Sequence, residues 1–562
     1  MNPKTTVSLL SLGLLAACQS GQKSQPNIVL ILADDMGYSD ISCYGSEVPT
    51  PNIDRLAENG IRFTQFYNTA RCCPSRASLL TGLHPHQTGM GAMESDRGED
   101  GYRGDINRHC VTIAEVLHQA GYRTYMAGKW HLTRFRAPSG PKHNWPLQRG
   151  FDRFYGTITG AGSYYDPTTL CRGNTYITPE NDSLYHPRSF YYTDAITDNA
   201  IMFLKDHEEQ SSDQPFFLYV AYTAAHWPMQ APDSVIQKYV GWYDKGYEPV
   251  RKARYERMKK LGVITPNTEL SPAPWKWEER PNKEWESDMM EVYAAMIDCM
   301  DNGVGRIVDK LKNTGQLNHT LIIYLHDNGG CAERWLNDVN PEVYHGMSLK
   351  SFGPDDLQPR IWPPMQTRDG RPVICGPAKK PGGPDSYALY EMGWANVSNT
   401  PFRYYKHYIQ EGGISTPLIF YWPDRFKDHG VLRTQMGQLM DIMATIVDAA
   451  GAVYPKTFRN HEIYPLEGVS LLPVAEGQTI THPPLFWEHE GNCGVRKGDW
   501  KLVITGHHKM DPIPFKKWEL YNISEDRAEM HNLAVKHPDI VQELSDLWYQ
   551  WAHRAHVIPY PH

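Results

Sequence analysis

The sequence predicts an α/β protein. A large α/β sandwich is built on a mixed, mostly parallel sheet, and a small C-terminal α+β domain with an antiparallel sheet follows it. Three observations carry this. Apolar runs of strand length alternate with helical patterns along most of the chain. Charged or polar residues stand just after four of those runs, at the strand ends where open α/β sheets bind ligands. From about residue 484 the pattern changes to short strands and a final helix.

In chain order, Lys4 precedes an apolar run over 7–17, then Cys18 and a polar stretch over 19–25. The run is too short to span a bilayer and reads as a signal-peptide core. Leu15-Ala16-Ala17-Cys18 has the form of a bacterial lipobox. The expected product is exported and held on a membrane by lipid on Cys18, periplasmic or at the cell surface. Residues 1–18 are then the signal, 19–25 a tether, 26–483 a catalytic domain and 484–562 a C-terminal subdomain.

The run 27–32 is continuously apolar and ends at Asp34-Asp35, as a buried parallel strand would. A short helix is expected over 53–60, and another opens over 75–81. Then come a helix over 113–120, a strand over 122–126 leading to Gly128-Lys129-Trp130-His131, and a helix over 198–205. A strand over 216–221 leads to His226-Trp227-Pro228. A long helix over 293–312 precedes a strand over 320–325 that ends at His326-Asp327-Asn328-Gly329. A strand over 414–422 and a helix over 434–450 follow. The segments 232–286 and 331–399 are too long for simple connections and are expected as active-site insertions. Antiparallel strands are expected over 495–503 and 518–522, and a last helix over 540–554.

The net charge of −8 argues against a dedicated nucleic-acid binder. The ten cysteines include no C-x-x-C pair, which argues against a zinc site. Export permits disulfides, but eight cysteines allow 105 pairings, so none is assigned. The 16 Trp and 33 Tyr are a weak pointer to sugar binding.

The sharpest motif is Cys72-Cys73-Pro74-Ser75-Arg76-Ala77-Ser78-Leu79-Leu80-Thr81-Gly82. It resembles C-x-P-S-R-x-x-x-L-T-G, the signature of type I sulfatases of the alkaline-phosphatase superfamily. Residues 88–91 and the stretch 393–406 are similar to the bacterial arylsulfatase branch. The resemblance spans about residues 26–533. It implies an alkaline-phosphatase-like fold and hydrolysis of sulfate monoesters. It also implies that a maturation enzyme oxidises Cys72 to formylglycine. One hydroxyl of the hydrated aldehyde attacks sulfur, and the other expels sulfate afterwards.

The resemblance maps a metal site onto Asp34, Asp35, Asp327 and Asn328, with position 72 as a further ligand. All-oxygen donors favour Ca²⁺ or Mg²⁺ over Zn²⁺, and the resemblance implies Ca²⁺, with Mg²⁺ possible. It maps Arg76 onto the residue that holds the formylglycine, and Lys129 onto a contact to formylglycine and sulfate. His131 becomes the base that releases sulfate. His226 and Lys406 bind sulfate and assist the leaving oxygen, with the proton donor open between them. Two positions depart from the pattern: His326 stands where Ser is common, and His407 where Gly is common. His489 or Asn492 is a candidate substrate contact.

Export and the Trp-rich insertion favour sulfated carbohydrate, with aryl sulfates as the other substrate class. Within carbohydrates, sulfated galactose or hexosamine is the expectation. The alternatives are a phosphonate monoester or phosphodiester hydrolase with the same formylglycine site, and a non-catalytic sulfoglycan-binding lipoprotein.

Overall fold

The computed structural model describes residues 25–335, 337, 349–359, 363–506 and 514–561. The expected signal, Cys18 and most of the tether lie outside the described residues. Among the described residues, no helix is long and apolar enough to cross a membrane.

The large sheet is built around β1 (Asn27–Ala33), whose seven residues are all buried. Burial on both faces explains why the run is continuously apolar rather than alternating. β1 pairs in parallel with β7 (Phe216–Ala221) on one side and β8 (Thr320–His326) on the other. β3 (Arg123–Gly128) lies parallel beyond β7. The four strands that deliver the polar residues are therefore adjacent, in the order β8, β1, β7, β3, with their C-terminal ends on one edge.

β2 (Ile61–Tyr67) and β9 (Ser415–Tyr421) extend the sheet past β8, and β9 is antiparallel to both its neighbours. β4 (Arg153–Thr157), β5 (Leu170–Arg172) and β6 (Thr175–Tyr176) extend it past β3. The expected sandwich with a mixed, mostly parallel sheet is what the structure has.

Helices cover both faces. One face carries α1 (Pro51–Glu58), α4 (Tyr192–Gln210) and the 31-residue helix Lys283–Asn313. That long helix buries Val292, Ala295, Met296, Cys299, Met300, Val304, Ile307 and Val308, the i, i+3, i+4 stripe of an amphipathic helix. The other face carries α2 (Cys72–Thr81), α3 (Ile113–Gln119) and Leu439–Ala450. α3 starts on a capping box: Thr112 Oγ1 accepts from the Glu115 amide at 3.1 Å, and the Glu115 carboxylate accepts from the Thr112 amide at 2.9 Å.

α2 begins at Cys72, three residues before the expected start. Pro74 falls in the first turn, where a missing N–H costs nothing, so the helix accommodates it. Position 72 therefore sits at the positive end of the helix dipole.

The C-terminal part forms a four-stranded antiparallel sheet over Leu485–His489, Asn492–Lys497, Trp500–Ile504 and Glu519–Asn522, with Pro538–Arg554 packed on it. It is tied to the large sheet by a buried ion cluster. Lys501 Nζ lies 2.9 Å from both Glu411 Oε1 and Glu529 Oε1, and all three side chains are solvent-free. Lys501→Met leaves two buried carboxylates facing each other. The expected loss is about 3–5 kcal/mol, read from guanidinium unfolding.

The 232–286 insertion acts largely as a brace. Its helix Tyr247–Leu261 buries Arg254, which holds Asp40 at 2.6 Å and Glu47 at 2.7 Å. Trp277 is buried against Tyr247 and Trp394, so it serves the core rather than a sugar. Pro272 and Pro274 reach a neighbouring cleft that also holds His407, Glu490 and Asn492. The 331–399 insertion supplies Glu333 and Trp335 to the cleft over Cys72.

Candidate active site

The residues singled out in the sequence meet at the shared strand edge. Asp34 and Asp35 leave β1, Asp327 and Asn328 leave β8, His226 follows β7, and Lys129 and His131 follow β3. Cys72 comes in at the start of α2. Lys406 lies on the loop before β9, and its amide bonds the Gly330 carbonyl at 3.2 Å. All of these side chains are buried.

Asp35 Oδ1 accepts from Asn328 Nδ2 at 2.7 Å, and Oδ2 accepts from Lys406 Nζ at 2.8 Å. His226 Nε2 stands 3.3 Å from the same Oδ2. The Asp35 amide bonds Asp327 Oδ1 at 3.2 Å. Asp34 Oδ2 accepts from Lys129 Nζ at 2.5 Å and from Arg76 Nη2 at 3.2 Å. Arg76 Nη2 also reaches Asp327 Oδ2 at 3.0 Å, and Nη1 reaches the Lys129 carbonyl at 3.0 Å. The guanidinium thus locks three carrier strands together, β1 and β8 through their acids and β3 through a backbone carbonyl, where the expectation was a hold on position 72.

Two oxygens in this cluster, Asp34 Oδ1 and Asn328 Oδ1, are buried and have no hydrogen-bond partner. Buried polar atoms are almost always paired. Three carboxylates and one amide oxygen, the two orphaned atoms among them, are a set of hard oxygen ligands that suits Ca²⁺ or Mg²⁺. The electrostatics agree. Burial pushes the Asp327 carboxyl well above its ordinary value, and the Asp34 charge beside it adds to this. Burial also works against Asp34, but Lys129, His226 and Arg76 outweigh it and hold that carboxyl down at about 2.

Cys72 has an equally tuned setting. The Cys73 thiol beside it, with Lys129 and His131, holds the Cys72 thiol well below its ordinary value against the effect of burial. Cys73 therefore has a contact that the motif reading gave it no part in. Burial pushes the His131 imidazole down to about 4, so it is neutral near pH 7. Its Nδ1 is buried without a partner, and Nε2 lies 3.6 Å from Glu94 Oε2. Gly160 packs on this ring: a Cβ there would lie 2.0 Å from His131 Cε1, so only glycine fits. Burial also lowers His226, whose Nδ1 bonds the Trp227 carbonyl at 2.7 Å. Lys406 stays charged despite burial because Asp35, Cys331 and Glu333 surround it.

The two departures are absorbed. His326 is buried in the core, with Nδ1 on the Met36 carbonyl at 3.0 Å and Nε2 on Tyr324 Oη at 3.1 Å. It ties β8 to the loop after β1. His407 has φ +82°, a conformation that favours glycine. Glu333 and Glu490, each 3.1 Å from its ring, hold the imidazole there.

Asn492 Nδ2 donates to the His407 carbonyl at 2.9 Å and Oδ1 accepts from the Gly506 amide, so it positions the loop carrying Lys406. His489 is fully buried and its ring nitrogens have no hydrogen-bond partner. All nine described cysteines are buried.

A cleft of about 320 Å³ opens over Cys72, His131, His226 and Lys406. Its other walls include Arg71, Glu94, Arg136, Trp227, Glu333 and Trp335, none of which the motifs singled out for chemistry. Trp227 was visible inside its motif. The rest come from loops with no local signal.

Burial also sets an acid limit on the fold. It pushes His84 and His489 down to about 4. Their ordinary value is about 6.5, so the folded state binds fewer protons than the unfolded state between these values. The stability is full above about pH 6.5 and falls as pH drops toward 4. Each ring adds about 1.4 kcal/mol per pH unit inside that window. Urea midpoints at pH 7.5 and 5.0 are expected to show the fall, with a shallower slope in His84→Gln.

The comparisons with known proteins agree with this geometry. A family model described as Sulfatase matches residues 26–452. A second, described as N-sulphoglucosamine sulphohydrolase, C-terminal, matches residues 402–552. An arylsulfatase of Klebsiella aerogenes is 33% identical, over 84% of this chain and 97% of its own. An N-acetylglucosamine-6-O-sulfatase of Bacteroides thetaiotaomicron is 25% identical, over 98% of this chain and 91% of its own. The solved structure of Ps i-CgsB in complex with k-i-k-neocarrahexaose has the same fold, with a TM-score of 0.61, 24% identity, and coverage of 94% of this chain and 92% of that one. An intact set of acids and bases at one sheet edge, a family model over most of the chain and arylsulfatase relatives lead to one conclusion: this chain belongs to the sulfatase family and is a sulfatase enzyme.

Proposed function

We propose that the protein hydrolyses sulfate monoesters of glycans, using a formylglycine made from Cys72 and a bound Ca²⁺, after export as a lipoprotein anchored through Cys18. The observation that carries the catalytic part is the meeting of Asp34, Asp35, Asp327 and Asn328 with Cys72 at one buried edge, with two ligand oxygens left without partners. Asp34, Asp35, Asp327, Asn328 and the residue at 72 would hold the cation, which supplies positive charge to the sulfate oxygens. The hydrated aldehyde supplies a hydroxyl nucleophile at position 72 and a second hydroxyl through which sulfate is later released.

The chain's own residues do the rest. Lys129 and Arg76 keep the acids of β1 and β8 in register and offset their charge. Neutral His131, beside position 72, accepts the proton whose removal frees the sulfate. His226 donates from Nδ1 to the Trp227 carbonyl, which leaves Nε2 as an acceptor. Lys406 is therefore the group that carries a proton at this end, and we assign it as donor to the leaving oxygen. A lipid tether would keep the enzyme where polymeric substrates arrive. The glycan reading is supported by the two Trp side chains in the cleft and by the N-acetylglucosamine-6-O-sulfatase relative.

Peptide mass spectrometry across Cys72, on protein from its own host, tests this. A mass about 18 Da below the cysteine peptide is expected for the aldehyde. An unmodified thiol in active protein would overturn the mechanism.

A further inference from the structure

We propose that Glu94 and Arg136 form the part of the cleft that receives the alcohol being released, and that this pair selects a hydroxylated alcohol with no charge beside the ester. The inference rests on the sulfatase reading of the site and extends it to the leaving group.

Glu94 lies in the segment that follows the short 3₁₀ turn Pro85–Thr88, outside every motif tied to the chemistry. Its Oε2 accepts from Arg136 Nη1 at 3.0 Å and stands 3.6 Å from His131 Nε2. That imidazole is the neighbour of Cys72. Glu94 therefore lies beside the reacting position without belonging to the acid cluster of Asp34, Asp35 and Asp327.

Its side chain is 9% exposed, and its second oxygen, Oε1, is buried with no hydrogen-bond partner. It lines the cleft together with Thr159 and Gly160. Glu94 thus brings to the cleft wall a carboxyl with one unpaired oxygen, a group that a ligand O–H can satisfy. The Arg136 guanidinium, one third exposed, lies on the same wall, with Nη1 also 3.4 Å from Thr159 Oγ1.

The rest of the cleft lining that carries charge near the ester is Arg71, Lys406 and Glu333, with Glu333 held by Arg71 at 3.3 Å. At the sulfate end, cations are in place for an anion. At the Glu94 end, above the pH of about 8 at which this buried carboxyl ionises, the pair presents one charge of each sign. An alcohol bearing a second sulfate or a carboxylate gains Arg136 only by meeting the Glu94 carboxylate as well, and one bearing an ammonium group gains Glu94 only by meeting Arg136 as well. A neutral polyol meets a free acceptor and a donor. Specificity then comes from repulsion at both signs as well as from the hydrogen bond.

The test is a charge series of phenyl sulfates carrying, meta to the ester, a hydroxymethyl, a carboxylate or a trimethylammonium-methyl group. kcat/KM is measured at pH 9, above the value of about 8 to which burial pushes the Glu94 carboxyl. Wild type is expected to prefer the hydroxymethyl ester to either charged ester. Glu94→Gln leaves Arg136 unbalanced and is expected to shift the ratio about tenfold toward the carboxylate ester. Arg136→Gln leaves Glu94 unbalanced and is expected to shift the ratio about tenfold toward the cationic ester. Ratios of two substrates on one preparation do not depend on how much of it is folded. Both variants moving the ratios the same way, or neither moving them by more than twofold, would overturn the inference. Wild type that hydrolyses none of the three and carries an unmodified thiol at Cys72 would instead overturn the formylglycine reading of the site on which it rests.

Discussion

Cys72→Ala is expected to fold as wild type and to lose turnover by roughly 10⁴- to 10⁶-fold, the range seen when a nucleophile is removed from an intact site. The folding half follows from packing. Cys72 is 2% exposed at the start of α2, and alanine is a good helix former that leaves only a sulfur-sized gap. Its neighbours are held independently of it: Lys129 by Asp34, Arg76 by Asp34 and Asp327, and Lys406 by Asp35. The catalytic half follows because no other side chain at the edge can take its place. Cys73 is fully buried, its thiol is pushed well above its ordinary value by burial, and it contacts Cys72 rather than the acid cluster. Steady-state kinetics on 4-nitrophenyl sulfate, with near-ultraviolet circular dichroism as the folding check, measures both halves. Activity within tenfold of wild type in folded protein would show that position 72 is not the nucleophile.

The fold and the site were legible in the sequence to different depths. β1 declared itself because a strand buried on both faces has no reason to carry polar residues, and the acids after it could only lie at the strand's end. The same logic found β3, β7 and β8. What the sequence could not show is that these four strands are adjacent, since their order in the sheet is not their order in the chain.

Other elements were hidden for physical reasons. The helix Tyr247–Leu261 carries Arg251 and Arg254 on its buried side, so its inner face reads as charged. The first turns of Lys283–Asn313 are polar, and the apolar stripe becomes clear only later, so its start was placed ten residues late. β2 was passed over because it lies between two motif segments and carries Arg62, Thr64 and Gln65. The Trp-rich insertion pointed to sugar binding by composition, but its Trp277 is core. Glu94 gave no signal because its meaning comes from His131 and Arg136, both far along the chain.

The second large effect separates cation binding from folding. On the Ca²⁺ reading, Asp327→Asn is expected to abolish the stabilisation that the cation gives and to lower kcat by at least about 10²-fold, the cost of losing one preorganised charge at a reacting centre. The same change is expected to leave the cation-free protein as stable as wild type or more so. The reason is the electrostatics of the empty cluster. Asp327 is buried beside Asp34, and burial with that neighbouring charge pushes its carboxyl well above the ordinary value. Without a cation, each ionised form of Asp327 opposes the fold. An amide removes that opposition and keeps one of the two oxygens, which serves either Arg76 Nη2, 3.0 Å from Oδ2, or the Asp35 amide, 3.2 Å from Oδ1. With a cation, the same carboxylate becomes an asset, because a dication repays three acids where three monovalent partners cannot. Binding linkage gives the scale: at a free Ca²⁺ concentration 100-fold above Kd, wild type gains about 2.7 kcal/mol over its chelated form. Thermal unfolding in EDTA and in CaCl₂ therefore measures four numbers, for wild type and variant with and without the cation. A site built for an ion shows a large difference between the two wild-type curves and almost none between the two variant curves. A variant less stable than wild type in EDTA would mean that Asp327 serves the fold through Arg76 and not the cation.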